Sequence, residues 1–187
     1  MRFRLNSAVL LFLLNVLTLF GQEEQNDKDW TKEKEGGEHL HHVIGFSIGH
    51  THISTGFKDD GTQWLALPSF GLSYAYFFNE KWALGLHNEI IVEDFVVQGS
   101  DDETFIERGR PIAVAVTGIY KVHRHIGLMV GAGMEFSSHE DFALVKIGAE
   151  FPYEFAHGWE MFGALSLDIN IDAYNSFSFG FGIAKLL

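Results

Sequence analysis

From residue 42 onward, apolar residues alternate with small or polar ones in run after run. At residues 69–78, Phe70, Leu72, Tyr74, Tyr76 and Phe78 fall on one face, and Ser69, Gly71, Ser73 and Ala75 on the other. A period of two is the signature of extended chain, whose successive side chains point to opposite sides. Asn79-Glu80-Lys81 then reads as a tight turn. The chain returns with Trp82, Leu84, Leu86, Ile90 and Val92 against Gly85, His87, Glu89 and Glu93. The split recurs with Ile112, Val114, Val116, Tyr120 and Val122 against Ala113, Ala115, Thr117 and Lys121. Leu128, Val130, Met134 and Phe136 likewise oppose Gly127, Gly131, Gly133 and Glu135. Val145, Ile147 and Phe151 alternate with Lys146, Gly148 and Glu150, and Trp159, Met161, Leu165, Leu167 and Ile169 with Glu160, Ser166, Asp168 and Asn170. A last run sets Phe177, Phe179, Phe181 and Ile183 against Ser176, Ser178, Gly180 and Gly182. With a first strand at 42–54 the count is eight. An even number of strands joined by short turns predicts an all-β fold, an eight-stranded antiparallel up-and-down barrel.

Volume decides which face is wet. The interior of an eight-stranded barrel is just wide enough for side chains to fill it. Four or five large residues from every strand would overfill it, whereas the Gly, Ala and Ser faces suit a narrow interior. The bulky face therefore points outward into lipid, and the barrel is expected to be transmembrane. Tyr76, Phe78 and Trp82 near one turn, Tyr153 and Trp159 near another, and Trp64 near the first loop fit interfacial girdles. With the N-terminus in the periplasm, turns near 79–81, 123–125 and 153–158 are periplasmic. Loops near 55–63, 98–109, 137–141 and 171–175 then face outside. The long loop at 98–109, with Asp101, Asp102, Glu103, Glu107 and Arg108, is the expected extracellular recognition surface.

The first forty residues are of a different kind. Arg2 and Arg4 precede the apolar run Leu5 to Phe20, with Gly21 as a small residue before Gln22, the pattern of a cleaved export signal over 1–21. Residues 22–38 hold seven acids and three lysines, too polar to bury a core, so 22–41 reads as an acidic disordered tether in the periplasm. The barrel then occupies 42–187. The whole chain carries −12, and loss of the two arginines makes the remainder more acidic still. Nucleic acid is thereby excluded as a partner, because phosphate binding needs clustered cations. The absence of cysteine excludes disulfides, thiol chemistry and a lipid-modified anchor.

The inward positions gather His87, Glu89, Glu93, Lys121, Glu135, Lys146, Glu150, Glu160 and Asp168. Buried charges persist only with partners, so this set reads as a salt-bridged plug. A cation or proton path is the alternative, given the excess of carboxylates. Symmetric turns would place Gly71 opposite Glu89, Ser73 opposite His87 and Gly127 opposite Lys121. At the periplasmic rim, His39, His41, His42, His123 and His125 are imidazoles of the kind that bind zinc, nickel or copper, although their spacing fixes no site. The plainer role for them is as amphipathic interface and turn residues. No cofactor is expected, with a transition metal at this rim as the alternative.

The hairpin Phe70-Gly71-Leu72-Ser73-Tyr74-Ala75-Tyr76-Phe77-Phe78-Asn79-Glu80-Lys81-Trp82 and the closing strand Phe177-Ser178-Phe179-Gly180-Phe181-Gly182-Ile183-Ala184-Lys185-Leu186-Leu187 give 42–187 an architecture that resembles the small outer-membrane β-barrels of the OmpA and OmpX type. The resemblance implies residence in the outer membrane of a Gram-negative bacterium, contact with outer-membrane lipid, and insertion by the outer-membrane assembly machinery. The chain ends in Leu187 rather than in the aromatic usual for such families. Some barrels of this size modify lipid A, so Ser/His/acid sets matter. Ser137, Ser138, His139 and Glu140 form one, and His50, His52 and Ser54 another. Neighbouring strand residues face opposite ways, which makes Ser138 and His139 a poor dyad, and no enzyme is expected. Fold alone does not give function. The expectation is a structural or interaction barrel with a closed, salt-bridged lumen, an accessory subunit of a larger outer-membrane complex. A small transport or metal-binding barrel is the alternative, and a lipid-modifying enzyme comes last.

Overall fold

The computed structural model describes residues 41–54, 64–98, 105–138 and 140–187. The expected export signal, the tether up to residue 40, His39, Asp101, Asp102, Glu103 and His139 lie outside the described residues. The strands in chain order are β1 (His41–Ser54), β2 (Trp64–Phe77), β3 (Trp82–Ile91), β4 (Phe95–Gln98), β5 (Phe105–Arg108), β6 (Ile112–His123), β7 (Ile126–Phe136), β8 (Phe142–Ala156), β9 (Trp159–Asn170) and β10 (Asn175–Leu186). Eight of them close into a barrel in which each pairs antiparallel with the next and β1 closes on β10. Closure leaves the barrel no unpaired edge, which hydrocarbon would not tolerate. The other two, β4 and β5, form a separate hairpin within the loop between β3 and β6.

The turns follow from local chemistry. Asn79 Oδ1 accepts from the amides of Lys81 and Trp82, both at 2.9 Å, which fixes the β2–β3 turn. The β8–β9 turn is tighter than the alternation predicts, because β8 continues to Ala156 and Gly158 reverses the chain at φ 69°. Register matches the symmetric-turn expectation, with Gly71 opposite Glu89, Ser73 opposite His87 and Gly127 opposite Lys121.

The bulky face points outward all round. Phe181 is 70% exposed and Val130 60%, and Phe46, Leu72, Leu84, Val116, Ile147 and Met161 share that wall. Facing water, such a surface would far exceed the apolar patch of a few hundred Å² that soluble proteins show. It is a lipid-facing surface. Tyr74, Tyr153, Trp82 and Trp159 collect toward the end where β1 begins, β10 ends and the short turns lie.

Candidate functional site

The interior is built in tiers, beginning at the mouth where the long loops join. The chain leaves β3 at Ile91, turns through Val92 to Asp94, and enters the β4–β5 hairpin. Four-residue strands alternate like long ones, so Phe95 and Val97 share a face with Ile106 and Arg108. That face packs into the barrel end with Ile53, Leu67, Ile91 and Tyr174, forming an apolar cap. Arg108 is fully buried beneath it. Its Nη2 pairs with Glu135 Oε1 at 2.5 Å, its Nη1 donates to the carbonyl of Glu140, and its guanidinium lies 4.6 Å from the Phe142 ring centre. Glu135 also accepts from Tyr174 Oη at 2.5 Å and from Asn170 Nδ2 at 3.2 Å. Tyr174 lies in the β9–β10 loop, where burial first and the Glu135 carboxylate second push its phenol above the ordinary range. The phenol stays protonated and donates.

The second tier lies deeper. Lys146 Nζ meets Asp168 Oδ1 at 2.7 Å and Oδ2 at 2.9 Å, and Glu89 Oε2 at 3.6 Å. Thr51 and Ser178 donate to Glu89 Oε1 at 2.5 and 2.8 Å, so Glu89 is held by hydroxyls as well as by the lysine. Each of these residues comes from a different strand, and the barrel closure alone brings them together.

Toward the short turns the lumen loosens into two cavities of about 60 and 50 Å³. Ser73, His87, Glu150 and Phe162 border both and form the partition between them. Gly45 and Gly182 leave the space that the Phe162 ring fills; a Cβ on either would touch it. Lys121 and Glu160 line the lower cavity, and Lys121 Nζ sits 4.1 Å from the Phe77 ring centre. His87 Nε2 is buried without a hydrogen-bond partner among the described residues.

Of the residues expected in the lumen, His87, Glu89, Lys121, Glu135, Lys146, Glu150, Glu160 and Asp168 are there. Glu93 is not. It is exposed in the segment after β3, where the strand has ended and alternation no longer governs direction. Arg108 needs the opposite correction: expected on the recognition loop, it is buried as an internal cation because β5 turns it toward the mouth. Glu107, its neighbour, faces outward and is exposed. Phe162 was missed because one aromatic among small inward residues breaks the pattern; the glycines opposite it were the available signal.

The histidine rim is divided by the same geometry. His41 stacks on Phe77 at 4.7 Å, while its neighbour His42 is on the other face, with Nδ1 2.6 Å from Tyr74 Oη. Adjacent strand residues therefore fail to share a ligand site. His123 and His125 have ring centres 5.8 Å apart, and His125 Nδ1 lies 3.0 Å from the Pro152 carbonyl. Among the described residues no three histidine or carboxylate side chains converge on a metal position. The serine sets are also dispersed. Ser137 Oγ accepts from Gly109 N at 3.0 Å, and His50 and His52 lie against Phe179 on the outer wall.

No protein-family model matches the chain, and no curated protein does. Solved structures do. The attachment invasion locus protein Ail of Yersinia pestis, crystallised with the heparin analogue sucrose octasulfate, has TM-score 0.52 at 15% identity over 79% of this chain and 99% of that one. Neisserial surface protein A has TM-score 0.51 at 10% identity over 77% of this chain and 96% of that one. At such identities the likeness is one of fold. With its closed antiparallel strands, lipid-facing wall and polar lumen, the chain has the fold of the small eight-stranded outer-membrane β-barrels.

Proposed function

We propose that this chain is a structural or interaction barrel of the outer membrane of a Gram-negative bacterium, with a closed, salt-bridged lumen, serving as an accessory subunit of a larger outer-membrane complex. The seal at the mouth carries this reading. Opening a path through the barrel would strip Glu135 of Arg108, and separating a buried pair costs about 3–5 kcal/mol. The hairpin that makes the seal shows Val96, Phe105 and Glu107 to the outside as a surface for a partner. A polyanion such as the one bound by Ail is a poor fit here, because among the described residues Glu93, Asp94, Glu107, Glu140, Asp141 and Asp172 are the exposed acids around the mouth, with Arg110 as the exposed cation. Removal of residues 1–21, a periplasmic tether that ends at residue 40 because His41 already belongs to β1, and insertion by the outer-membrane assembly machinery complete the reading.

One observation favours small-cation transport instead. Glu89, Glu135, Glu150, Glu160 and Asp168 outnumber Arg108, Lys121 and Lys146 in the lumen, beside two cavities. Purification from native membranes, with identification of co-purifying proteins and bound metal, separates the two when run beside planar-bilayer recordings. A stable partner and a silent wild type support the proposal. Steady cation current that Glu89→Gln alters, or stoichiometric metal without a partner, would transfer the chain to the transport reading.

A further inference from the structure

Asn88 breaks the outer wall. β3 points Trp82, Leu84 and Leu86 into lipid, with Ala83, Gly85 and His87 turned inward, and the same alternation sends Asn88 outward between Leu86 and Ile90. Across the wall it faces Leu72 on β2 and Val114 on β6. Six residues separate it from Trp82 in the turn-end belt. A tilted strand climbs roughly 2.6 Å per residue along the membrane normal, so Asn88 lies about 16 Å above that belt, within an apolar band of about 25 Å. Between the belt and the loop-end polar residues His50, His52, Ser54 and Asn175, it is the one outward side chain among the described residues that carries a hydrogen-bonding group.

Its amide is half satisfied. Nδ2 donates one hydrogen to the Leu72 carbonyl at 3.1 Å, and Oδ1 accepts from no group among the described residues. Water would satisfy that oxygen on a soluble protein, but lipid offers no donor at this depth. The remaining capacity is one N–H and one carbonyl oxygen, a set complementary to itself.

We infer that the wall around Asn88 joins two copies of this chain in the bilayer, with reciprocal hydrogen bonds between the two Asn88 amides. Copies inserted in one orientation are related by a two-fold axis along the membrane normal, which brings every residue to its counterpart at equal depth. An amide near that axis meets the group it complements without any adjustment of depth. Leu72, Leu86, Ile90 and Val114 around it supply a dry aliphatic surface. The inference rests on the membrane-barrel reading and adds to it a partner, a second copy of the chain.

The chain has no cysteine, so an introduced one is unique. The test uses the full chain in native membranes, with Ile90→Cys near the proposed axis and Leu165→Cys on β9 across the barrel, each checked for heat-modifiable gel mobility as evidence of a folded barrel. Oxidation is expected to cross-link Ile90→Cys into a dimer and to leave Leu165→Cys monomeric. Adding Asn88→Leu should lower the dimer yield about tenfold, the scale of losing one or two hydrogen bonds within a membrane. Equal cross-linking at both positions, indifference to Asn88→Leu, or a cross-link to a different protein overturns the pairing. Absence of the chain from the membrane fraction instead overturns the barrel reading beneath it.

Discussion

The two ends of this barrel solve opposite problems. At the mouth, an apolar cap from β4, β5 and the neighbouring strand ends covers a buried arginine whose carboxylate partner accepts three separate donors. At the turn end, Lys121 rests on the Phe77 ring, cavities remain, and the pairing slips at Lys121/His123 and at Glu154/Ala156. Both non-glycine residues with positive φ among those described, Arg110 and Asp172, are in mouth loops. Such conformations persist where surrounding contacts over-determine them. The charges differ too: the exposed ones described around the mouth are mostly acidic, whereas at the turn end Glu80, Lys81 and Glu154 are exposed together and Arg124 and Lys185 are half-buried. The contrast teaches that the turn end is packed by inward side chains of the barrel strands themselves, Phe77, Ala83, Ile119 and Met129, whereas the mouth is covered by a separate hairpin that side-chain contacts hold in place.

Breaking the mouth should therefore cost most. Arg108→Ala leaves Glu135 buried without its cation and is expected to destabilise the barrel by about 3–5 kcal/mol, measured as urea unfolding in lipid vesicles by tryptophan fluorescence. An equal loss from Lys81→Ala at the other end would erase the distinction. Tyr174→Phe removes one donor to the same carboxylate, at about 1.5–3 kcal/mol. Its phenol is raised in the folded state, so its stabilisation is complete below the ordinary value of 10.0 and declines as pH rises above it. Wild type should lose stability there more steeply than Tyr174→Phe, and parallel pH curves would show that the bond contributes nothing.

Overpacking probes the middle. Gly182→Ala pushes on both the Phe162 ring and the Phe46 carbonyl and should cost about 1–3 kcal/mol, of which the double variant with Phe162→Leu recovers the part due to the ring. If Gly182→Ala is neutral, the partition between the cavities is softer than its contacts imply. The smallest effect is expected at the turn-end rim, where Lys185 lies 5.2 Å from the Trp159 ring centre. Lys185→Met there should shift unfolding by about 0.5–1 kcal/mol.

Much of the barrel was legible because its strands obey a period of two and its turns are short. Phe70 to Phe78 against Trp82 to Ile90 fixed one hairpin, and short-turn symmetry fixed Gly71 opposite Glu89. The lumen set followed from the same parity. Parity failed at its margins: Glu93 lies just past a strand end, and Arg108 sits in a strand of four residues, too short to show a pattern. His41 and His42 look like a ligand pair in one dimension and occupy opposite faces in three.

The sequence by itself determined which wall meets lipid and which lines the lumen, because that choice is local and repeats at every strand. The partners inside the lumen were decided only by closure. Lys146, Asp168, Glu89, Thr51 and Ser178 come from five strands, and their meeting depends on how far each is staggered around the ring. The place of the β4–β5 hairpin over Arg108 was likewise decided in three dimensions, since no period in the chain records where a loop folds back.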